Sequence, residues 1–219
     1  EEIKLDRWIG TTQNCKIEFH GFSDASNKAY AAVVYTRVEY EDGKIEVSLI
    51  SGKTKVAPIK VISTPKLELC GCVLLSNLMK KVQNSFNFEE AESYLYSDST
   101  ICLAWITSHP NHWNVFVANR ITEIQQLTKV NAWNFVDTNN NPADCATRGV
   151  DPSNLKDHRI WWSGPEWLSK PKSSWPNHGN ASYETDEERK RGINLMHTRI
   201  QNADLHMNNV LKSFSTLPA

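Results

Sequence analysis

The chain has 219 residues, 40% hydrophobic and 22% charged, enough for one globular core with appended segments. Its formal net charge of -1 gives no global attraction to a polyanion, and no run approaches the roughly 20 apolar residues of a membrane span. With Glu1-Glu2-Ile3-Lys4 in place of a basic-then-apolar leader, a soluble intracellular protein without membrane partners is expected. The five cysteines, Cys15, Cys70, Cys72, Cys102 and Cys145, lack the paired spacing of zinc ribbons or knuckles and are expected to be reduced structural thiols.

From Lys16 to Phe22 apolar and polar residues alternate as in a half-buried strand, which ends at Ser23-Asp24-Ala25-Ser26. Ala29 to Val38 predicts a second strand, Glu41-Asp42-Gly43-Lys44 a turn, and Ile45 to Gly52 a third strand, completing an antiparallel meander. Ser63-Thr64-Pro65-Lys66-Leu67-Glu68 reads as a helix start, and Leu67, Cys70, Leu74, Leu78 and Val82 follow at helical spacing. Tyr94 to Ser97 is a short strand, Asp98-Ser99-Thr100 leads into a helix with Ile101, Cys102, Trp105 and Ile106, and Val115 to Leu127 is a further helix. Ala132 to Val136 is a last strand, followed by a polar loop and a short helix opening at Asn141-Pro142-Ala143-Asp144. The order β-β-β-α-β-α-α-β-α predicts an α/β fold, a mixed five-stranded sheet flanked by helices. Beyond Gly149, Trp161, Trp162, Trp167 and Trp175 alternate with Pro152, Pro165, Pro171 and Pro176, which suggests a partly ordered linker, and Ser182 to Arg191 opens a charged tail with little to bury.

Nucleic-acid binding by so neutral a chain has to come from a local patch. Lys44, Lys53, Lys55, Lys60 and Lys66 fall in one stretch whose only acid before Glu68 is Glu46. The bland alternative is a solvated basic surface.

Four acids stand out by position: Asp24 and Asp98 at strand ends, Glu68 one turn into a helix, Asp144 at a helix start. Singly, Glu68 or Asp144 reads as an ordinary first-turn helix acid. Jointly, strand ends and helix starts at one edge of an open sheet can converge, and grouped carboxylates are the donors Mg²⁺ and Mn²⁺ prefer. Unneutralised, such a group repels itself; two cations about 4 Å apart could activate a water and stabilise a leaving 3′-oxygen.

His20-Gly21-Phe22-Ser23-Asp24-Ala25-Ser26, Pro65-Lys66-Leu67-Glu68-Leu69, Tyr96-Ser97-Asp98-Ser99 and Asn141-Pro142-Ala143-Asp144 with Arg148-Gly149 resemble the ordered motifs of BEL/Pao retrotransposon ribonuclease H domains. Arg7-Trp8-Ile9 is similar to the segment leaving the reverse transcriptase, and Trp161-Trp162-Ser163-Gly164-Pro165-Glu166-Trp167-Leu168 to the one leading to the integrase. The resemblance implies a ribonuclease H-like fold with a Trp/Pro-rich extension, divided as residues 1–14 leaving the reverse transcriptase, 15–150 the nuclease domain, 151–180 a linker and 181–219 a charged tail. It implies endonucleolytic cleavage of the RNA strand of RNA–DNA hybrids with two Mg²⁺ ions, Mn²⁺ substituting, inside a polyprotein shared with reverse transcriptase and integrase. A cytoplasmic virus-like particle, or the nucleus, is the implied location.

By the same resemblance Asp24, Glu68, Asp98 and Asp144 are catalytic metal ligands, Asp24 bridging both ions, and Ser26, Lys53, Lys55, Lys66, Ser99, Thr100, Asn141 and Arg148 are candidate nucleic-acid contacts. Ser99 and Thr100 serve equally as a helix N-cap, and Asn141 and Arg148 as organisers of the last loop. One departure stands out: many ribonucleases H carry a histidine in the loop before the last aspartate, and Asp137-Thr138-Asn139-Asn140-Asn141 has none. His109 and His112 lie in another loop and are not assigned to a metal. An integrase would need Asp, Asp and Glu in order, and an exonuclease Asp-x-Glu on the first strand, where this chain has Asp24-Ala25-Ser26. The reading from another class is a catalytically silent scaffold or nucleic-acid-binding module from a degraded or domesticated element.

Overall fold

The computed structural model describes residues 10–11, 14–88, 90–176 and 183–190; Arg7-Trp8-Ile9 and most of the charged tail lie outside them. Strands β1 (Cys15–Ala25), β2 (Ala29–Tyr40) and β3 (Ile45–Val56) form the antiparallel meander. The β2–β3 turn closes on Gly43, whose φ of 81° suits glycine, with Asp42 accepting from the Lys44 amide at 2.9 Å. β3 runs past the predicted end at Gly52 because β2 keeps pairing with it as far as Ala29↔Val56. Gly52 is retained inside the strand for a packing reason: a Cβ there would lie 3.0 Å from the Trp161 ring.

Helix α1 (Thr64–Phe86) starts with Pro65 in its first turn and stops at Asn87, which adopts the left-handed conformation. β4 (Glu92–Ser97) then pairs parallel with β1, α2 (Thr100–Thr107) and α3 (Val115–Leu127) follow, and β5 (Trp133–Phe135) adds parallel to β4. The sheet order is β3-β2-β1-β4-β5, a mixed five-stranded sheet flanked by helices, as the element order predicts.

The two-residue repeat of the central strand sorts its side chains onto two covered faces. Phe19 joins Ala32, Val34, Leu75, Met79, Leu95 and Trp105 in the core beneath α1, α2 and α3. Phe22, on the other face, joins Val33, Tyr35, Tyr96, Trp167 and Leu168. That second face is covered by α4 (Asp144–Arg148), by α6 (Arg159–Ser163), which follows the largely exposed α5 (Pro152–Leu155), and by the irregular chain up to Pro176. The stretch that its prolines mark as a linker is therefore packed, since proline bars regular structure but not burial. Tyr35 Oη donates to the Trp161 carbonyl at 2.7 Å, and buried Arg37 donates to the carbonyls of Leu168 at 3.1 Å and Lys170 at 3.2 Å.

Arg37 also pairs with Glu18 at 3.1 Å, and Lys172 reaches Glu18 at 2.7 Å. Next to them His20 is fully buried, stacked on Tyr94 with ring centroids 5.0 Å apart and edge-on to Trp175. Burial holds its pKa down at about 4 against the pull of Glu18, so it is neutral at physiological pH.

Candidate active site

The parallel register of β1 and β4 matches Ser23 to Ser97, so Asp24 and Asp98 follow one residue later on neighbouring strands at the same sheet edge. Strands in a sheet lie about 4.8 Å apart, which makes the two carboxylates neighbours. Glu68 arrives from α1, which crosses β1 closely at Gly71: a Cβ on that glycine would stand 3.0 Å from the Asp24 carbonyl oxygen. Asp144 is brought in by the last loop, which Asn141 fastens to β1 by donating to the Ser23 carbonyl at 2.9 Å. Asn141 also accepts from the Ala143 amide at 3.2 Å. Four acids far apart in sequence thus meet at one edge.

Their electrostatics record the meeting. Burial raises the Asp24 pKa to about 6, the charges of Asp98 and Asp144 add to the rise, and the Thr147 hydroxyl opposes it. Asp98 is raised by burial and by Asp144, against hydrogen bonding from Thr138. Glu68 is raised by burial and by Asp98, against Ser99. Two of the carboxylates have a hydroxyl donor and a third an ion-pair partner: Thr147 Oγ1 donates to Asp24 Oδ2, Thr138 Oγ1 donates to Asp98 Oδ2 at 2.9 Å, and Arg148 Nε lies 2.7 Å from Asp144 Oδ1 without hydrogen-bond alignment. Sequence reasoning missed Thr138 and Thr147; the one available signal was that Thr147 lies one helical turn beyond Asp144.

Among the described residues no group of three or more His, Cys, Asp or Glu side chains stands in position to hold a metal ion. The donor set nevertheless suits one. It is all oxygen, it carries mutually repelling charge, and Asp98 Oδ1 is buried with no well-aligned donor, the Asn141 amide lying nearby. Asp144 would have to exchange Arg148 for the cation.

The remaining predicted residues divide. Ser26 is occupied in the β1–β2 turn, donating to the Thr147 carbonyl at 3.0 Å and accepting from the Ala29 amide at 3.3 Å. Ser99 caps α2 by accepting from the Cys102 amide at 3.3 Å, and Thr100 is the exposed first residue of that helix. Lys66 pairs with Glu188 at 2.9 Å, so it is partly neutralised. Arg148 is turned to Asp144, and Asn141 is a buried clamp. Lys53 and Lys55 are exposed on β3.

Residues 1–99 match the family model of the Pao retrotransposon-like RNaseH-like domain, a span that holds Asp24, Glu68 and Asp98 but stops before Asp144. Over that span, just under half of the chain, the sequence is similar to the Pao-type RNaseH-like domain. No curated protein matches it. Among solved structures, the chain is similar to RNase H1 from the halophilic archaeon Halobacterium salinarum, at 12% identity and a TM-score of 0.36, covering 60% of this chain and 93% of that one. It is similar also to the N-terminal RNase H domain of a Mycobacterium tuberculosis protein, at 12% identity and a TM-score of 0.37, covering 62% and 92%. A third similar structure is LC11-RNase H1, isolated from compost by a metagenomic approach, in complex with an RNA/DNA hybrid, at 10% identity and a TM-score of 0.36, covering 55% and 83%.

Proposed function

We propose that this Pao-type domain hydrolyses the RNA strand of RNA–DNA hybrids endonucleolytically during reverse transcription, within a polyprotein that also carries reverse transcriptase and integrase. The observation that carries the reading is the convergence of Asp24, Glu68, Asp98 and Asp144, whose charges disfavour one another inside a half-buried edge. Such a cluster destabilises a protein unless cations neutralise it.

The four carboxylates would hold two Mg²⁺ ions, or Mn²⁺, with Asp24 the shared ligand that the family resemblance implies. Bound divalent ions supply Lewis-acid activation of water and charge neutralisation at the scissile phosphate. The protein's own groups set the stage. Thr147 orients Asp24, Thr138 orients Asp98, Ser99 restrains Glu68, and Asn141 holds the last loop to β1. The Asp137–Asn141 loop offers no histidine for proton transfer, so the domain either works without one or turns over more slowly. Lys53 and Lys55 contribute sequence-independent contacts to phosphate.

The silent-module reading draws support from two observations: Asp144 is held by Arg148, and among the described residues no three His, Cys, Asp or Glu donors are in place. Cleavage of a labelled RNA–DNA hybrid in Mg²⁺ and Mn²⁺, beside an Asp98→Asn protein and an all-DNA duplex, separates the two. Metal-dependent RNA cleavage that vanishes in Asp98→Asn supports the nuclease. Hybrid binding without cleavage supports the silent module.

A further inference from the structure

The described chain resumes at Tyr183, which packs on the core beneath α1, α2 and α3. The six residues that follow, Glu184-Thr185-Asp186-Glu187-Glu188-Arg189, include four acids. On composition alone such a segment belongs in water. It is seated on three helices instead. Trp105 of α2 donates its indole Nε1 to the Glu187 carbonyl at 3.0 Å, and the Asn114 amide at the start of α3 donates to the Glu188 carbonyl at 2.9 Å. Arg189 forms an isolated antiparallel bridge with Trp113.

The side chains make the seat electrostatic. Glu188 accepts from the Asn114 side-chain amide at 3.1 Å and pairs with Lys66 of α1 at 2.9 Å, each member of that pair only 23% exposed. Lys66 also lies 5.6 Å from the Phe116 ring centroid, which Arg120 covers at 3.5 Å. An ammonium, an amide and an indole N–H are donors that any oxyanion can use, and here one carboxylate and two carbonyls take them up. Lys66 is two residues before Glu68, so the seat adjoins the candidate acid cluster. The Glu187 charge adds to the effects that raise the Glu68 pKa.

What holds the segment is exchangeable. Glu184, Asp186 and Glu187 are exposed, and Asp186 pairs with Arg189 of the same segment at 2.6 Å. Glu188 adopts φ 61°, a left-handed conformation that is costly for a residue with a Cβ. Apart from Tyr183 the contacts are polar, and polar contacts can pass to another anion with little net change. A phosphate cannot reach Lys66 while Glu188 holds it, and the neighbouring acids repel one that approaches.

We propose that residues 185–189 form a displaceable plug, an acidic stand-in for a phosphate backbone that occupies Lys66, Asn114 and Trp105 and has to leave before the hybrid can seat beside Glu68. The proposal rests on the reading that the chain acts on such a hybrid. The test uses the full chain in chelator. Anisotropy of a fluorescent RNA–DNA hybrid at about 50 mM salt compares wild type, Glu187→Gln/Glu188→Gln and the control Glu41→Gln/Glu90→Gln, which removes two exposed acids elsewhere. The plug variant is expected to bind about five-fold more tightly than the control, which corresponds to a wild-type seat open about a fifth of the time. Hydrogen exchange by mass spectrometry on the wild type is expected to show the amides of residues 184–189 exchanging faster once hybrid is added. Equal affinity of the plug variant and its control, or greater protection of residues 184–189 in the complex, overturns the plug even if the wild type cuts hybrid. If no protein in the set binds hybrid, the plug falls together with the nuclease reading. Tighter binding by a variant that cuts nothing keeps the plug and removes only the nuclease. Thermal melts restrict the comparison to folded protein, and if the double variant unfolds, Glu187→Gln alone and the exchange measurement on the wild type decide.

Discussion

Gly71 of α1 lies directly against Asp24 of β1: a Cβ on the glycine would sit 3.0 Å from the Asp24 carbonyl oxygen and 3.6 Å from that of Ala31. One turn earlier on the same helix is Glu68, so the closeness of helix and strand sets the spacing between two candidate ligands. Replacing a helical glycine by alanine ordinarily stabilises by about 1 kcal/mol. Here that gain is expected to be cancelled, because a backbone oxygen cannot swing aside. Gly71→Val, which adds bulk at the same contact, is expected to lose about 1–3 kcal/mol in urea unfolding. Hybrid cleavage should fall further than stability does, since Glu68 moves with the helix.

Asp24 gives a prediction with a definite sign. Its folded pKa of about 6 lies above the ordinary aspartate value of 3.8, so its contribution favours the fold below 3.8 and is lost as pH rises through 6. At pH 8 in chelator, Asp24→Asn is therefore expected to be more stable than wild type, by on the order of 1–2 kcal/mol given partial solvent screening. The advantage should disappear near pH 4. Adding Mg²⁺ should reverse the ranking in thermal melts, because the wild type alone keeps the full set of ligands. A wild type that stays less stable in Mg²⁺ would count against the metal cluster.

His20 predicts acid sensitivity further back along β1, on the same sheet face. Its pKa falls from 6.5 to about 4 on folding, so the unfolded chain takes up a proton that the folded chain refuses as pH drops between those values. The loss is about 3 kcal/mol at full extent. Glu18 beside it works in the same direction at lower pH: burial pushes its pKa up, but His20, Lys172 and Lys16 hold it well below the usual carboxylate range. The acid cluster has the opposite slope, so the informative quantity is the difference between wild type and His20→Phe. That variant keeps the stack on Tyr94 and should show a smaller loss of stability from pH 7 to pH 4. Parallel curves for the two proteins would mean that His20 is not the group that titrates.

The tryptophans after Gly149 are expected to be structural. Trp167 is buried, with its ring centroid 6.3 Å from Phe22, 5.4 Å from Tyr96 and 5.4 Å from Trp175. Trp167→Ala should destabilise by about 3–5 kcal/mol. A chain ending at Gly149 would leave Phe22, Val33 and Tyr35 open to water and is expected to lose its cooperative unfolding transition in circular dichroism. A truncated chain that unfolds cooperatively at the wild-type midpoint would return residues 150–176 to the status of a linker.

Taken alone, the sequence determined the order of elements and the four acids. Alternation is a local property, so β1, β2 and β4 could be read from residues such as Ile17, Phe19 and Phe22, and α1 from Leu67, Leu74 and Leu78. Strand ends and helix starts are local too, which is why Asp24, Asp98 and Asp144 could be singled out before any contact was known. Only the tertiary structure decided what surrounds them. Thr138 and Thr147 bind Asp98 and Asp24 across 40 and 123 residues of chain, a relation that no periodicity records. Register, not composition, set Asp24 beside Asp98. The proline–tryptophan segment shows the same division, because proline's effect on hydrogen bonding is visible in one dimension, whereas the apolar sheet face that Trp167 covers exists only once the strands have paired.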